Sequence, residues 1–282
     1  MIEITFPDRA LKSYKNGVTP YEIASSISDG LARNVISASF NDQIIETSTK
    51  LKESGKLIFY TWKDQEGKKA FWHSSAHVLA QVLEEFYPDI KLTIGPAISN
   101  GFYYDVDFGN HTLSEKDFPK IEKRMVEISR EKHLFKLKSK SKKEALDYYK
   151  KKGNEYKLEL IENLEDGSIT FCDHDNFTDL CKGGHLPNTA FIKAVKLLSV
   201  AGAYWKADQN KKQLTRVYGI SFPKQKELNE YLNLIEEAKK RDHRKLGKQL
   251  ELFTFSSKVG LGLPLWLPKG TELRERLESF LK

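Results

Sequence analysis

Cysteine is scarce in this chain: two residues, Cys172 and Cys181, in 282. That excludes a disulfide framework and fits a reducing, cytoplasmic setting. No run approaches the ~20 apolar residues of a membrane helix, and mean hydropathy is −0.54. The first residues, Met1 to Pro7, lack the basic start and apolar core of a secretory signal. A Walker-type glycine loop, a Gly-x-Ser-x-Gly elbow and a dinucleotide fingerprint are all missing, which removes three large enzyme classes. There is no internal repeat and no low-complexity segment. What is present suffices for a core: 39% hydrophobic, 11% aromatic and 30% charged residues exclude a wholly disordered chain. Forty-six basic against 39 acidic side chains give a net charge of +7. That excess permits a nucleic-acid partner without requiring one.

At roughly 100–200 residues per domain the length implies two or three domains, and composition shifts divide the chain into four blocks. Residues 1–61 alternate short β-type runs with one helix opened by Thr19-Pro20, an N-cap followed by proline at the first helical position. Residues 62–224 hold every cluster of reactive side chains. They begin with a helix predicted over Ala70 to Tyr87, followed by β-type sequence through Ile94-Gly95-Pro96 and Gly101 to Asp107. A charged helix spans Ser114 to Lys132, and strands are expected at 169–172, 191–200 and 213–220. Residues 225–242 read as a charged linker helix. Residues 243–282 end within a helix from Glu272, as a truncated domain would.

His73-Ser74-Ser75-Ala76-His77 carries the strongest local signal. On a helix the two imidazoles lie about 40° apart. The apolar positions Trp72, Ala76, Leu79, Leu83 and Phe86 centre about 100° away, so the histidines are expected to flank the buried stripe. Asp179-Leu180-Cys181-Lys182-Gly183-Gly184-His185 reads as a tight glycine loop. Together, three histidines and a cysteine match the ligand types of a tetrahedral zinc site. Cys172-Asp173-His174-Asp175 reads as an acidic loop with an inert thiol. The lysine-rich run 132–152 reads as a solvated face, and the basic stretch 239–245 as a helix end or an RNA contact.

His73-x-x-x-His77 with Cys181-x-x-x-His185 resembles the editing-site signature of threonyl- and alanyl-tRNA synthetases. The threonyl branch is selected by Ile94-Gly95-Pro96, Asn100-Gly101-Phe102-Tyr103-Tyr104-Asp105, Gly202-Ala203-Tyr204-Trp205 and Arg216-Val217-Tyr218-Gly219. The segments 241–247 and 263–270 resemble the start of that family's class II catalytic domain. The resemblance implies an α+β, multidomain chain: a β-grasp (TGS) domain at 1–61, an α/β editing domain at 62–224, a linker helix at 225–242 and an incomplete class II core at 243–282. Two departures stand out: Gly184 precedes His185 where the family usually carries proline, and Lys182 replaces a common arginine, losing its planar fork.

The resemblance further implies hydrolysis of Ser-tRNA(Thr), with His73, His77, Cys181 and His185 as catalytic residues. Asp179, Tyr104, Lys157 and Gly95 are the substrate-binding positions. Aminoacylation is not expected of this chain alone. By the same resemblance editing requires no metal, whereas counting ligands at His73, His77, Cys181 and His185 favours zinc. ATP, Mg and one Zn are expected only in the missing catalytic domain, tRNA(Thr) is the partner, and the intact enzyme is expected to be a homodimer. Two alternatives compete: a free-standing zinc-dependent ester hydrolase, and a non-enzymatic RNA-binding module.

Overall fold

Ile2 and Ile4 are buried while Glu3 between them is exposed, the alternation of a one-sided strand. That strand, β1 (Ile2–Thr5), is followed by β2 (Leu11–Tyr14), α1 (Pro20–Ile27), α2 (Asp29–Asn34), β3 (Ser37–Phe40), β4 (Gln43–Ile45) and β5 (Gly55–Tyr60). The sheet order is β2-β1-β5-β3-β4, with β1 and β5 parallel and the other pairs antiparallel. α1 begins where the sequence places it: the Glu22 N–H donates to the Thr19 hydroxyl (3.2 Å) and the Thr19 N–H donates back to the Glu22 carboxylate (2.8 Å). Ile23 of α1 completes a core with Ile2, Ile4, Phe6, Ala38, Leu51 and Leu57, as a β-grasp requires. A second helix, α2, appears where one was expected, because Ser28 caps a new start by accepting from the Leu31 N–H.

This computed structural model describes residues 1–260 and 262–282. Its backbone forms two units, 1–225 and 226–282, so residues 1–61 and 62–224 lie within one unit. The larger part of that unit opens with α3 (Gln65–Phe86), then β6 (Lys91–Leu92), β7 (Ala97–Ile98), β8 (Gly101–Asp107) and α4 (Phe118–Glu131). It continues through β9 (Lys136–Ser139), α5 (Lys142–Lys151), α6 (Glu155–Glu162), β10 (Thr170–His174), β11 (Phe177–Leu180), β12 (Ala194–Tyr204) and β13 (Gln213–Phe222). α3 starts five residues earlier than predicted, since the Asp64 carboxylate accepts from Thr61 N–H (2.7 Å) and turns the chain into the helix. Phe191, expected to open a strand, lies in a short 3-10 turn, and the strand begins at Ala194.

An antiparallel sheet ordered β12-β13-β8-β6 packs against α3 and α4. A second sheet, β11-β10-β9, shares a core with α5 and α6 through Ala145, Tyr149, Ile161, Ile169 and Phe171. The second unit, 226–282, carries most of α7 (Gln225–Lys240), then α8 (His243–Gln249), the hairpin β14 (Phe253–Phe255) and β15 (Pro264–Trp266), and α9 (Pro268–Leu281). Among the described residues no helix is long and apolar enough to cross a membrane.

His174, at the end of β10, sits between the rings of Phe135 (4.8 Å) and Phe177 (5.2 Å) with no hydrogen-bond partner on either nitrogen among the described residues. Burial, reinforced by His77 and His185, pushes its pKa down to about 3. The native state thus holds it neutral, while the unfolded chain protonates it below ~6.5, so stability is lost as pH falls through that value. His174→Leu is expected to relieve this. Compared with the parent in urea unfolding, the variant should gain about 2 kcal/mol more at pH 5 than at pH 7.5.

Candidate active site

α3 is buried along nearly its whole length from Ala70 to Leu83. His77, expected beside the buried stripe, is therefore 3% exposed and inside it. The reason is that α3 is covered on two sides. Towards the sheet, Trp72 Nε1 donates to the Ser221 carbonyl (3.0 Å) and Ser75 pairs with Ser221 Oγ (2.7 Å). On another side lies the loop that follows β11, held by the Leu186 N–H donating to Ser74 Oγ (2.8 Å).

That loop leaves the β10–β11 hairpin, whose register pairs Phe171 with Leu180 and Cys172 with Asp179. Just past it, the Cys181 N–H donates to the Thr170 carbonyl (3.0 Å), and the Thr170 hydroxyl donates to the Cys181 carbonyl. Gly183 (φ +98°) and Gly184 (φ +84°) then take left-handed backbone. Proline, locked near φ −65°, has no place at 184 in this loop.

The outcome is convergence. The metal-capable atoms of His73, His77, Cys181 and His185 all lie within 4.8 Å of one another. His73 Nε2 is 2.9 Å from Cys181 Sγ, and His185 Nε2 is 3.1 Å from it on the other side. The His77 ring centroid lies 4.7 Å from that of His73 and 5.1 Å from that of His185. Burial pushes the Cys181 thiol up, but the charges of His77 and His73 and hydrogen bonds from His185 and His73 outweigh it and hold it well below the usual thiol range. Burial pushes His185 down, yet its hydrogen bonds to Cys172, Cys181 and Glu46 carry it well above the ordinary imidazole value. Burial dominates at His77 and lowers its pKa.

Asp179 lies beneath this cluster, 3% exposed. Its carboxylate accepts from Tyr104 Oη (2.6 Å) and Tyr149 Oη (3.2 Å), pairs with Lys157 Nζ and lies 3.5 Å from His77 Nδ1. Burial alone raises a carboxyl pKa, but Lys157 and His77 offset it and keep Asp179 below the usual value. Gly95 offers its carbonyl to His73 Nδ1 at 3.4 Å. A Cβ there would fall 2.2 Å from the Tyr104 ring, so only glycine admits this close approach. A cleft of about 1290 Å³ opens onto the cluster, lined by His73, His77, Gly95, Lys157, Asp179 and Cys181, with Ser39 and Ile44 of the β-grasp on its other side. Tyr104 and His185 stand behind its surface, 1% exposed each.

Three contributors escape a sequence reading. Ser74 reads as helix filler, Tyr149 sits in a lysine-rich run, and Glu46, whose carboxylate receives His185 Nδ1 at 2.9 Å, lies in the β-grasp. Three of the nine lysines in the run are committed locally: Lys138 pairs with Asp173 (2.6 Å), Lys152 with Glu84 (2.8 Å), and Lys142 Nζ caps the Glu162 and Leu164 carbonyls. Cys172 is buried, and burial pushes its thiol up to about 11, in keeping with an inert side chain. The donor set suits zinc in kind, three histidines and a thiol. A tetrahedral ion would need ligand atoms ~3.5 Å apart, so the two contacts to Cys181 Sγ would have to open slightly.

Residues 2–61 match the TGS domain family, and residues 169–218 match the family described as threonyl and alanyl tRNA synthetase second additional domain. Over all 282 residues the chain is 67% identical to the threonine--tRNA ligases of Flavobacterium psychrophilum and Flavobacterium johnsoniae, and 58% identical to that of Cytophaga hutchinsonii. It spans 43%, 43% and 44% of the lengths of these curated relatives. With its β-grasp and its editing-type domain in this order, the chain belongs to the threonyl-tRNA synthetase family and corresponds to the N-terminal part of its relatives.

Proposed function

We propose that residues 62–224 hydrolyse the ester of serine mischarged onto tRNA(Thr), releasing serine and tRNA. The observation that carries this reading is the convergence of His73, His77, Cys181 and His185 over the buried Asp179 at one cleft. Serine lacks one methyl of threonine, and a binding pocket gains only about 1–3 kcal/mol from such a difference. A second, smaller site that destroys the wrong ester supplies the remaining selectivity.

Attack of water on an ester carbonyl needs a positioned water, a proton acceptor and stabilisation of the developing oxyanion. His73 and His77 are assigned to orienting water and moving its proton. Burial lowers the His77 pKa, and both of its nitrogens lack a hydrogen-bond partner among the described residues, which leaves the ring open to a water or a substrate hydroxyl. Cys181 forms the facing wall, with His185 behind it. An ionised carboxylate has about four acceptor positions; Lys157, Tyr149 and Tyr104 take three at Asp179. The substrate's ammonium group is assigned to the remaining position, on the cleft side of the carboxylate. Lys157 and Gly95 border the seryl group and the terminal ribose, and Tyr104 acts by fixing Asp179.

The wider proposal is that the chain serves an enzyme that joins threonine to tRNA(Thr) with ATP and Mg, holds one zinc in its catalytic domain, and works as a cytoplasmic homodimer. A second reading of the editing site is favoured by the four clustered donors and the carboxylate behind His185, a common partner of zinc-bound imidazole. Zinc held by His73, His77, Cys181 and His185 would supply an activated water.

Two measurements test these readings. At high enzyme concentration the parent chain should deacylate Ser-tRNA(Thr) and spare Thr-tRNA(Thr), and His73→Ala/His77→Ala should slow the reaction by about 10²–10⁴-fold. Unchanged hydrolysis in the double variant overturns the role assignment. Metal analysis before and after chelation should find zinc well below one per chain with activity retained. Stoichiometric zinc, lost together with hydrolysis, would instead establish the second reading.

A further inference from the structure

We propose that Glu46, a side chain of the β-grasp, is a positioning residue for the hydrolytic site: it fixes the orientation of the His185 ring and its loop against Cys181. Its importance for catalysis rests on the deacylase reading above; its positioning role does not.

Glu46 stands immediately after β4, 139 positions before His185 in sequence, yet its side chain is 11% exposed and both of its oxygens accept hydrogen bonds. Oε1 accepts from the Gly184 N–H (3.0 Å) and from His185 Nδ1 (2.9 Å), and the His185 N–H reaches Oε1 and Oε2 at 3.3 Å each. One carboxylate thus grips two successive backbone amides and the ring of the same loop. Glu46 is itself held: the Thr49 N–H donates to its carbonyl (3.0 Å), and the Tyr21 N–H of α1 donates to the neighbouring Thr47 carbonyl (2.9 Å). The β-grasp therefore presents the carboxylate from a fixed frame.

A carboxylate only accepts, so Nδ1 of His185 must carry the proton. Nε2 is then left facing Cys181 Sγ at 3.1 Å, and His73 Nε2 approaches the same sulfur at 2.9 Å. A carboxylate, an imidazole and a sulfur in series form an arrangement in which each group orients the next. The two glycines at 183 and 184 give the loop conformational freedom. Glu46 supplies the restraint that they remove, and Gly184 supplies an N–H that proline would lack.

The test uses the whole chain with Glu46→Ala, Glu46→Gln and a control, Ser54→Ala, which removes only a β-grasp hydrogen bond to the Glu3 N–H. Ring nitrogen NMR of His185 and amide exchange at Gly184 and His185 are read alongside deacylation of Ser-tRNA(Thr). Expected is an Nδ1-protonated ring in the parent and the control. Glu46→Ala should change that signature, speed exchange at both amides and lower kcat by up to about 100-fold with little change in KM. Glu46→Gln, which keeps an acceptor oxygen, should fall between. Should Glu46→Ala fail to fold, Glu46→Gln decides by the same signals. An unchanged His185 signature with unchanged amide exchange overturns the proposal. A changed signature with full kcat overturns its bearing on the reaction. If the parent itself does not deacylate, the proposed function falls, while the ring and amide signals still decide the positioning role.

Discussion

The contact on which the site depends is the one between His73 Nε2 and Cys181 Sγ, 2.9 Å apart and 108 residues distant in sequence. It exists only because the loop 181–186 lies directly on α3. Two features secure that placement. The β10–β11 register fixes where the loop begins, and Ser74 catches the Leu186 N–H where it ends. Between those ends the chain needs left-handed backbone at two successive residues to turn His185 back towards the helix, and two glycines provide it. A loop anchored at both ends and pinned in its middle behaves as part of the scaffold, which is what a hydrolytic site needs to hold its groups in productive geometry.

The electrostatics argue that this cluster is kept for chemistry and not for stability. Asp179 and Lys157 are both nearly fully buried, and His77 and His185 lie in the same volume. Removing paired charges from water costs several kcal/mol per ion, and well-packed apolar residues of similar size are often as stable or more so. Here the charges are laid out in two strings. Lys157, Asp179 and His77 form one, with Tyr104 and Tyr149 completing the carboxylate. Glu46, His185, Cys181 and His73 form the other. Each string brings its last member to the cleft wall, where perturbed titration is useful.

What could be read from sequence follows the range of the underlying interaction. The i, i+4 pairs His73/His77 and Cys181/His185 were visible because helix pitch and loop length are local rules, and the β-grasp and editing folds because the resemblance to the threonyl branch, carried by motifs from residue 73 onward, implies both. The start of α1 was legible because Thr19, Pro20 and Glu22 are neighbours. The burial of His77 was not, since the periodicity of α3 reports only the face turned towards the sheet, and the second cover comes from residues 181–186. Glu46 was invisible for the same reason at longer range: nothing near it in sequence marks a carboxylate that reaches into another domain. The meaning of Gly184 lies in the folded loop: a glycine in place of proline reads as loss of stiffness in sequence, whereas its N–H donates to Glu46.

If the site is a sieve, as proposed, it must exclude threonine by shape, because a methyl group offers too little binding energy to discriminate by affinity. Exclusion demands a wall that does not yield. Gly95 lies so close to Tyr104 that no Cβ fits between them, and the Tyr104 hydroxyl is tied to Asp179 at 2.6 Å. The same carboxylate is the assigned anchor for the substrate's ammonium group. Wall and anchor are therefore one mechanical piece: making room beside Gly95 would require moving Tyr104, and moving Tyr104 would strip a hydrogen bond from a buried carboxylate, a loss of about 1–3 kcal/mol or more for a charged group. That penalty matches or exceeds what a methyl group can contribute by binding, so a larger substrate cannot force the pocket open with its own contact energy.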